Sequence, residues 1–253
     1  MPFNFDGVPY KFTVLQKVRK PGRFSLATFH LVRQVLGEMV THRPSNQRLS
    51  VWDLGCGCGI VGILAQRLSH GNVKRVLFTD ISEAALRCTL ENLRHSDAAE
   101  GTELVNGDLF SASPDGETFD VIAFNPPFLL PGLADHQDVG GPSGLETALR
   151  YCRDLKANLK KGGCGILTLA DYIDNGTIRK ALTKSGFKAE DIDSEEQVIL
   201  YPFQTDRAVP QAYEIANKAA LEAKCGYKFE VCWLGRTQFL AFTIRLYLAH
   251  STD

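Results

Sequence analysis

The stretch Val51-Trp52-Asp53-Leu54-Gly55-Cys56-Gly57-Cys58-Gly59-Ile60-Val61-Gly62 decides how the rest of the chain is read. An apolar run from Leu49 to Leu54 enters three alternate glycines and leaves as an apolar segment of helical period. That pattern predicts a strand, a tight turn and a helix N-terminus. Glycine in such a turn allows positive φ and lets a ligand press against bare backbone. Gly57, Gly59 and Gly62 also satisfy G-x-G-x-x-G, and Asp80 lies near the spacing of a ribose-binding acid, so a dinucleotide is one reading. Asp53 discriminates. At the strand's carboxyl end its charge repels a pyrophosphate and attracts a cationic ligand. A glycine-rich turn without a ligand is the plain alternative.

Composition bounds the answer. The 253 residues suit one α/β domain with extensions, and 44% hydrophobic residues are ample for a core. A net charge of -1 provides no overall attraction to nucleic acid or anionic membrane. Seven cysteines, scattered without metal-like clusters, read as reduced thiols and predict a cytoplasmic protein without a metal. Cys56 and Cys58 are small residues filling the turn. No apolar run approaches membrane-spanning length, and Asp6 interrupts the place where a signal peptide needs its apolar region.

Downstream, Arg75 to Thr79 reads as a buried strand ending at Asp80, with Ser82 capping the next helix. Open α/β sheets bind ligands at such carboxyl ends, where Asp80 can accept both hydroxyls of a ribose. A third strand leads into Asn106-Gly107-Asp108-Leu109. A fourth, Phe119 to Phe124, runs into Asn125-Pro126-Pro127-Phe128. The prolines fix φ and hold Asn125 out of helix, giving a rigid turn. It presents a carboxamide, a carbonyl and an aromatic face. An amide or exocyclic amine nitrogen is a poor nucleophile because its lone pair is delocalised. The Asn125 oxygen and the Pro126 carbonyl can hold its two N–H groups while Phe128 stacks on the planar group. A proline loop that merely stops a strand is the alternative.

Asp53-Leu54-Gly55-Cys56-Gly57-Cys58-Gly59 resembles motif I of class I S-adenosyl-L-methionine (SAM)-dependent methyltransferases. Asn125-Pro126-Pro127-Phe128 resembles the Asn-Pro-Pro-Tyr/Phe motif of enzymes that methylate planar nitrogens. Gly140 to Glu146 is similar to the stretch that follows it in the HemK or release-factor glutamine methyltransferases. There the usual residues at 143 and 128 are aspartate and tyrosine, where this chain has Ser143 and Phe128. The similarity covers roughly Phe24 to Leu169. The segment before the glycine turn is too short for the helical N-terminal domain of the bacterial enzymes. The resemblance implies SAM as cofactor, held by Asp53, Gly55, Gly57 and Gly59, by Asp80 with Ile81 on the ribose side, and by Asp108 with Leu109 at the adenine. Asn125 borders both cofactor and acceptor. Thr28 enters through Pro21 to Phe29, which is loosely similar to the segment covering SAM in amino-methylating enzymes.

The expected fold is a doubly wound, Rossmann-like, mostly parallel α/β sheet with a C-terminal antiparallel hairpin. Residues 1–47 form a basic arm and helix: Gly7 to Gly37 contain six basic and no acidic side chains. The arm either meets an acidic partner or is a solvated face balanced by acids elsewhere. Residues 48–253 form the methyltransferase domain, with strands at Gly162 to Leu169 and Val198 to Tyr201 and a final hairpin turning at Gly235-Arg236. A helical insert at about 203–226 is either a substrate lid or an extra packing helix. Three functions compete: methylation of a glutamine-type amide in a protein or peptide, methylation of an RNA or DNA base or of a small metabolite, and a SAM-binding partner subunit without catalysis. The charge disfavours nucleic acid, and the intact Asn-Pro-Pro-Phe disfavours the last.

Overall fold

Alternation of apolar side chains on both faces of the central strands dictates a sheet covered on both sides. A computed structural model describes residues 2–5, 8–13, 26–41, 48–96, 98, 101–114, 116–127, 140–173, 176–202, 222–223, 230–234 and 237–251. An antiparallel hairpin, β1 (Pro2–Phe5) and β2 (Val8–Lys11), precedes α1 (Leu26–Thr41). Then follow β3 (Leu49–Leu54), α2 (Ile60–Leu68), β4 (Val73–Asp80), α3 (Glu83–Arg94) and β5 (Thr102–Asn106). A 3-10 turn (Leu109–Ala112) leads to β6 (Phe119–Phe124), α4 (Glu146–Asn158), β7 (Leu159–Ala170) and α5 (Thr177–Lys184). The chain ends in β8 (Phe187–Pro202), β9 (Glu230–Leu234) and β10 (Thr237–Ser251).

The sheet runs β5-β4-β3-β6-β7-β10-β8, with β9 paired to β10. The first five of these are parallel, and β10 runs antiparallel to β7, β8 and β9. Successive residues divide between two cores. On one face Val51, Val76, Phe78, Val121, Ala123 and Ile166 meet α1, α2 and α3. On the other, Trp52, Leu77, Ile122, Phe124 and Leu167 meet α4 and α5. Each fully buried large side chain contributes about 1.5–3 kcal/mol. The chain winds outward from β3 through β4 to β5 and then returns through β6 to β7. The switch point therefore lies between β3 and β6, where open α/β sheets place their ligand site.

The expected mostly parallel sheet with an antiparallel C-terminal pair is what forms. The last strands differ in detail from the sequence expectation. β9 and β10 make the hairpin, but the long partner of β10 is β8, which begins at Phe187 instead of Val198. β8 is the edge strand on that side of the sheet. β7 begins at Leu159, and Gly162 at φ 69 lies inside it where the register with β6 shifts. The proposed insert lies almost wholly outside the described residues.

Candidate active site

Register fixes which residues meet at the switch point. Leu54 pairs with Thr79 on one side and Phe124 on the other, while Asp80 pairs with Asn106 and Phe124 with Leu167. The next residues of β3 and β6, Gly55 and Asn125, therefore emerge at the same end as Asp80, Asn106 and Thr168.

The glycine turn is built as its sequence requires. Gly55, Gly57 and Gly59 have φ of 64°, 59° and 78°, where side chains are strained. They are not equivalent. A Cβ on Gly59 would meet Thr89 Cγ2 at 2.7 Å, whereas one on Gly57 meets nothing within 4 Å. Two side chains of α3 hold the turn from beneath: Thr89 Oγ1 donates to the Gly57 carbonyl at 3.1 Å, and Asn92 Nδ2 to the Cys58 carbonyl at 2.8 Å. Asn92 also accepts from the Thr13 N–H at 2.6 Å, which ties the buried Phe12 segment to the turn.

Two carboxylates face this turn. Asp53 Oδ2 accepts from the Gly62 N–H in the first turn of α2 at 2.9 Å. Asp80 accepts from the Gly57 N–H at 3.0 Å through one oxygen and from the Ser82 N–H at 2.8 Å through the other. Ser82 caps α3, as its sequence predicts. Burial pushes Asp53 up to about 8; the Gly62 bond opposes this and the Asp80 charge adds to it. Asp80 is also raised by burial, against its two backbone bonds. Among the described residues no lysine or arginine pairs with either acid. Asp120 is the contrast: at the opposite end of β6 it pairs with Lys160 at 2.8 Å and lies below the ordinary carboxylate range despite its burial. A cationic ligand bound beside Asp53 and Asp80 would supply the opposite charge that no described lysine or arginine provides.

Beside Asp80, Ile81 is 71% exposed, an apolar surface suited to a planar ring. Asn106 Nδ2 donates to the Asp80 and Ile81 carbonyls, fixing that corner. Asp108 forms an ion pair with Arg150 of α4 at 2.7 Å, and Leu109 is held at φ 51. Asn125 is half-buried, and its Oδ1 accepts from Thr168 Oγ1 at 2.9 Å. Pro126 is buried. The glycine-rich stretch packs directly on this loop, because a Cβ on Gly140 would meet the Pro127 carbonyl at 2.5 Å. Ser143 donates from N and Oγ to Glu146 Oε1 at 3.0 and 2.9 Å and accepts weakly from the Leu145 N–H. An aspartate at 143 could also offer an oxygen to that N–H, so serine retains part of the role.

The structure thus brings together Asp53, Gly55, Gly57, Gly59, Asp80, Ile81, Asp108, Leu109, Asn125 and Pro126 around the carboxyl ends of β3 to β6. Thr28 lies on α1, but its side chain, like Phe128 altogether, is outside the described residues. Sequence reasoning missed Thr89, Asn92, Arg150 and Thr168. Thr168 left one signal, a hydroxyl inside the apolar run Ile166 to Ala170.

Residues 15–141 match the methyltransferase small domain family, half of the 253 residues. The chain belongs to that family. Its relatives include the release factor glutamine methyltransferases of Rhodopirellula baltica, 26% identical over 68% of this chain and 63% of that protein, and of Moorella thermoacetica, 36% identical over 54% and 50%. A ribosomal RNA large subunit methyltransferase G of Klebsiella pneumoniae is 33% identical over 48% of this chain and 30% of its own. The chain thus spans about half to just under two thirds of these two glutamine methyltransferases. Among solved structures, a 16S rRNA methyltransferase of T. thermophilus in complex with AdoMet and guanosine superposes with TM-score 0.55 at 18% identity, over 99% of this chain and 50% of that one. A methyltransferase of Pyrococcus furiosus gives 0.54 at 15%, over 96% and 89%. These likenesses establish the class I methyltransferase fold, whose cofactor is SAM. The paired acids, the open face of Gly57 and the exposed Ile81 fit that cofactor. Among the described residues no helix is long and apolar enough to cross a membrane.

Proposed function

We propose that the protein is a SAM-dependent methyltransferase acting on a planar nitrogen, and that the acceptor is a glutamine-type amide of a protein or peptide. The observation that carries this reading is the Asn125 carboxamide, held by Thr168 at the switch point beside the glycine turn and the acid pair. When bound, SAM supplies an electrophilic methyl on a sulfonium. Asp53 and Asp80 provide negative charge for its cationic portion, and Asp80 retains lone pairs for ribose hydroxyls beyond its two backbone bonds. Ile81 covers a ring face, and Asp108, steadied by Arg150, accepts from an exocyclic amine. Asn125 Oδ1 is oriented by the bond it accepts from Thr168, and a carboxamide oxygen is the type of group that accepts from an acceptor N–H. With the Pro126 carbonyl it aims the nitrogen lone pair, so that orientation carries most of the rate. Phe128 joins this proposal on sequence alone, as does Thr28. The nitrogen's proton passes to water after transfer, so no general base is assigned.

The names of the two bacterial glutamine methyltransferases support the amide. The ribosomal RNA relative supports a nucleobase amine as the second reading, against the net charge of -1. A small biosynthetic metabolite presents the same planar nitrogen. Incubation with methyl-labelled SAM and, separately, release factor, ribosomal RNA and a small-molecule fraction decides among them. Label on a glutamine of the protein acceptor is expected. Label confined to RNA or to the small-molecule fraction would replace the amide, and label on oxygen or carbon would remove the planar nitrogen.

A further inference from the structure

Glu38, Cys164 and His250 bring a carboxylate oxygen, a thiol sulfur and an imidazole nitrogen within 4.8 Å of one another. They come from three elements, α1, β7 and β10. Cys164 and His250 are direct cross-strand partners in the antiparallel β7–β10 pair, which puts their side chains on one face. That face is the one α1 covers, since Cys164 shares its core with Leu31, Val32 and Val35. Glu38, one turn beyond Val35, descends onto the pair. Glu38 and Cys164 are buried and His250 is half-buried. Gln34, one turn earlier on α1, donates from Nε2 to Glu38 Oε1 at 3.2 Å and steadies the carboxylate. Cys164 precedes Thr168 by about 13 Å of strand, so the cluster is removed from the glycine turn.

We propose that these three side chains form a zinc site distinct from the methyl-transfer site. Sulfur and imidazole nitrogen select borderline and soft divalent ions over calcium or magnesium, which prefer oxygen. One thiolate and one carboxylate neutralise the ion, so the complex carries no net charge into a largely buried place. Binding releases the thiol proton to solvent. Three protein ligands leave the fourth tetrahedral position to water, and the half-buried edge at His250 provides access. The site ties the end of β10 to β7 and α1. In the sequence the three residues are too far apart to show it.

The test uses the full chain, stripped with chelator and titrated with Co2+ and then Zn2+. One equivalent of Co2+ should bind with a thiolate-to-cobalt charge-transfer band that Zn2+ displaces. Cys164→Ser should abolish the band, His250→Gln should weaken binding strongly, and Gln34→Ala should weaken it by about 10- to 100-fold. Absence of stoichiometric metal on the wild type would overturn the site and leave a hydrogen-bonded cluster. So would a band unchanged in folded Cys164→Ser. If Cys164→Ser does not fold, His250→Gln decides, and unaltered affinity there overturns the site equally.

Discussion

Thr168 Oγ1 donates to Asn125 Oδ1 across 2.9 Å, joining the end of β6 to the fully buried interior of β7. The bond identifies which amide atom is the acceptor, because only oxygen can receive a hydroxyl proton. It also fixes the orientation of the carboxamide at the end of β6.

Thr168→Val keeps the shape and removes the donor. The expected result is a kcat lower by about 3- to 10-fold, the worth of one neutral hydrogen bond, with SAM affinity unchanged. Thr168→Ser should restore most of the rate. Steady-state kinetics with calorimetric SAM titration checks both, and an equal fall in rate and SAM affinity would assign Thr168 to packing.

Asp53 links the site to pH. An acid whose folded pKa lies above its unfolded value favours the folded state when protonated. Its stability contribution is therefore lost as pH rises from the ordinary carboxylate range through about 8. The ligand-free protein should lose at least about 1 kcal/mol from this group between pH 5 and pH 8. Asp53→Asn keeps an oxygen for the Gly62 N–H and should flatten that dependence while weakening SAM binding. Urea unfolding at several pH values measures it; a wild type and variant with parallel pH curves would show Asp53 ionised without cost.

The glycines of the turn should separate by readout. Gly57→Ala meets no neighbour, so its stability cost is the left-handed backbone alone, about 1–2 kcal/mol, yet its methyl enters the open side of the turn. Gly59→Ala adds a clash with Thr89, about 1–3 kcal/mol more. Thermal unfolding should rank Gly59→Ala as the less stable, and SAM titration of the folded variants should rank Gly57→Ala as the weaker binder. The reverse order in binding would place the ligand elsewhere.

What the sequence made legible was local. The glycine turn, Asp80 before its Ser82 cap, and Asn125 before two prolines each declare themselves within a few residues, because turn chemistry and capping are short-range. The clamp of Thr89 and Asn92 beneath the turn was not legible, nor was Arg150 on Asp108. These depend on how α3 and α4 dock, which no local pattern encodes. Thr168 opposite Asn125 depends on the β6–β7 register, shifted by the irregularity at Gly162. The length of β8 was hidden because its charges suit an edge strand and a loop equally well. The Glu38–Cys164–His250 cluster needs β10 to fold back beside β7, and scattered cysteines conceal it.

The most direct measurement of the central claim compares Asn125→Ala with the wild type in methyl transfer and in SAM binding. If Asn125 holds the acceptor nitrogen, turnover should fall by at least about 10²-fold while SAM affinity changes little. Transfer by Asn125→Ala at near wild-type rate would contradict the claim, leaving Asn125-Pro126-Pro127 as a turn that only ends β6.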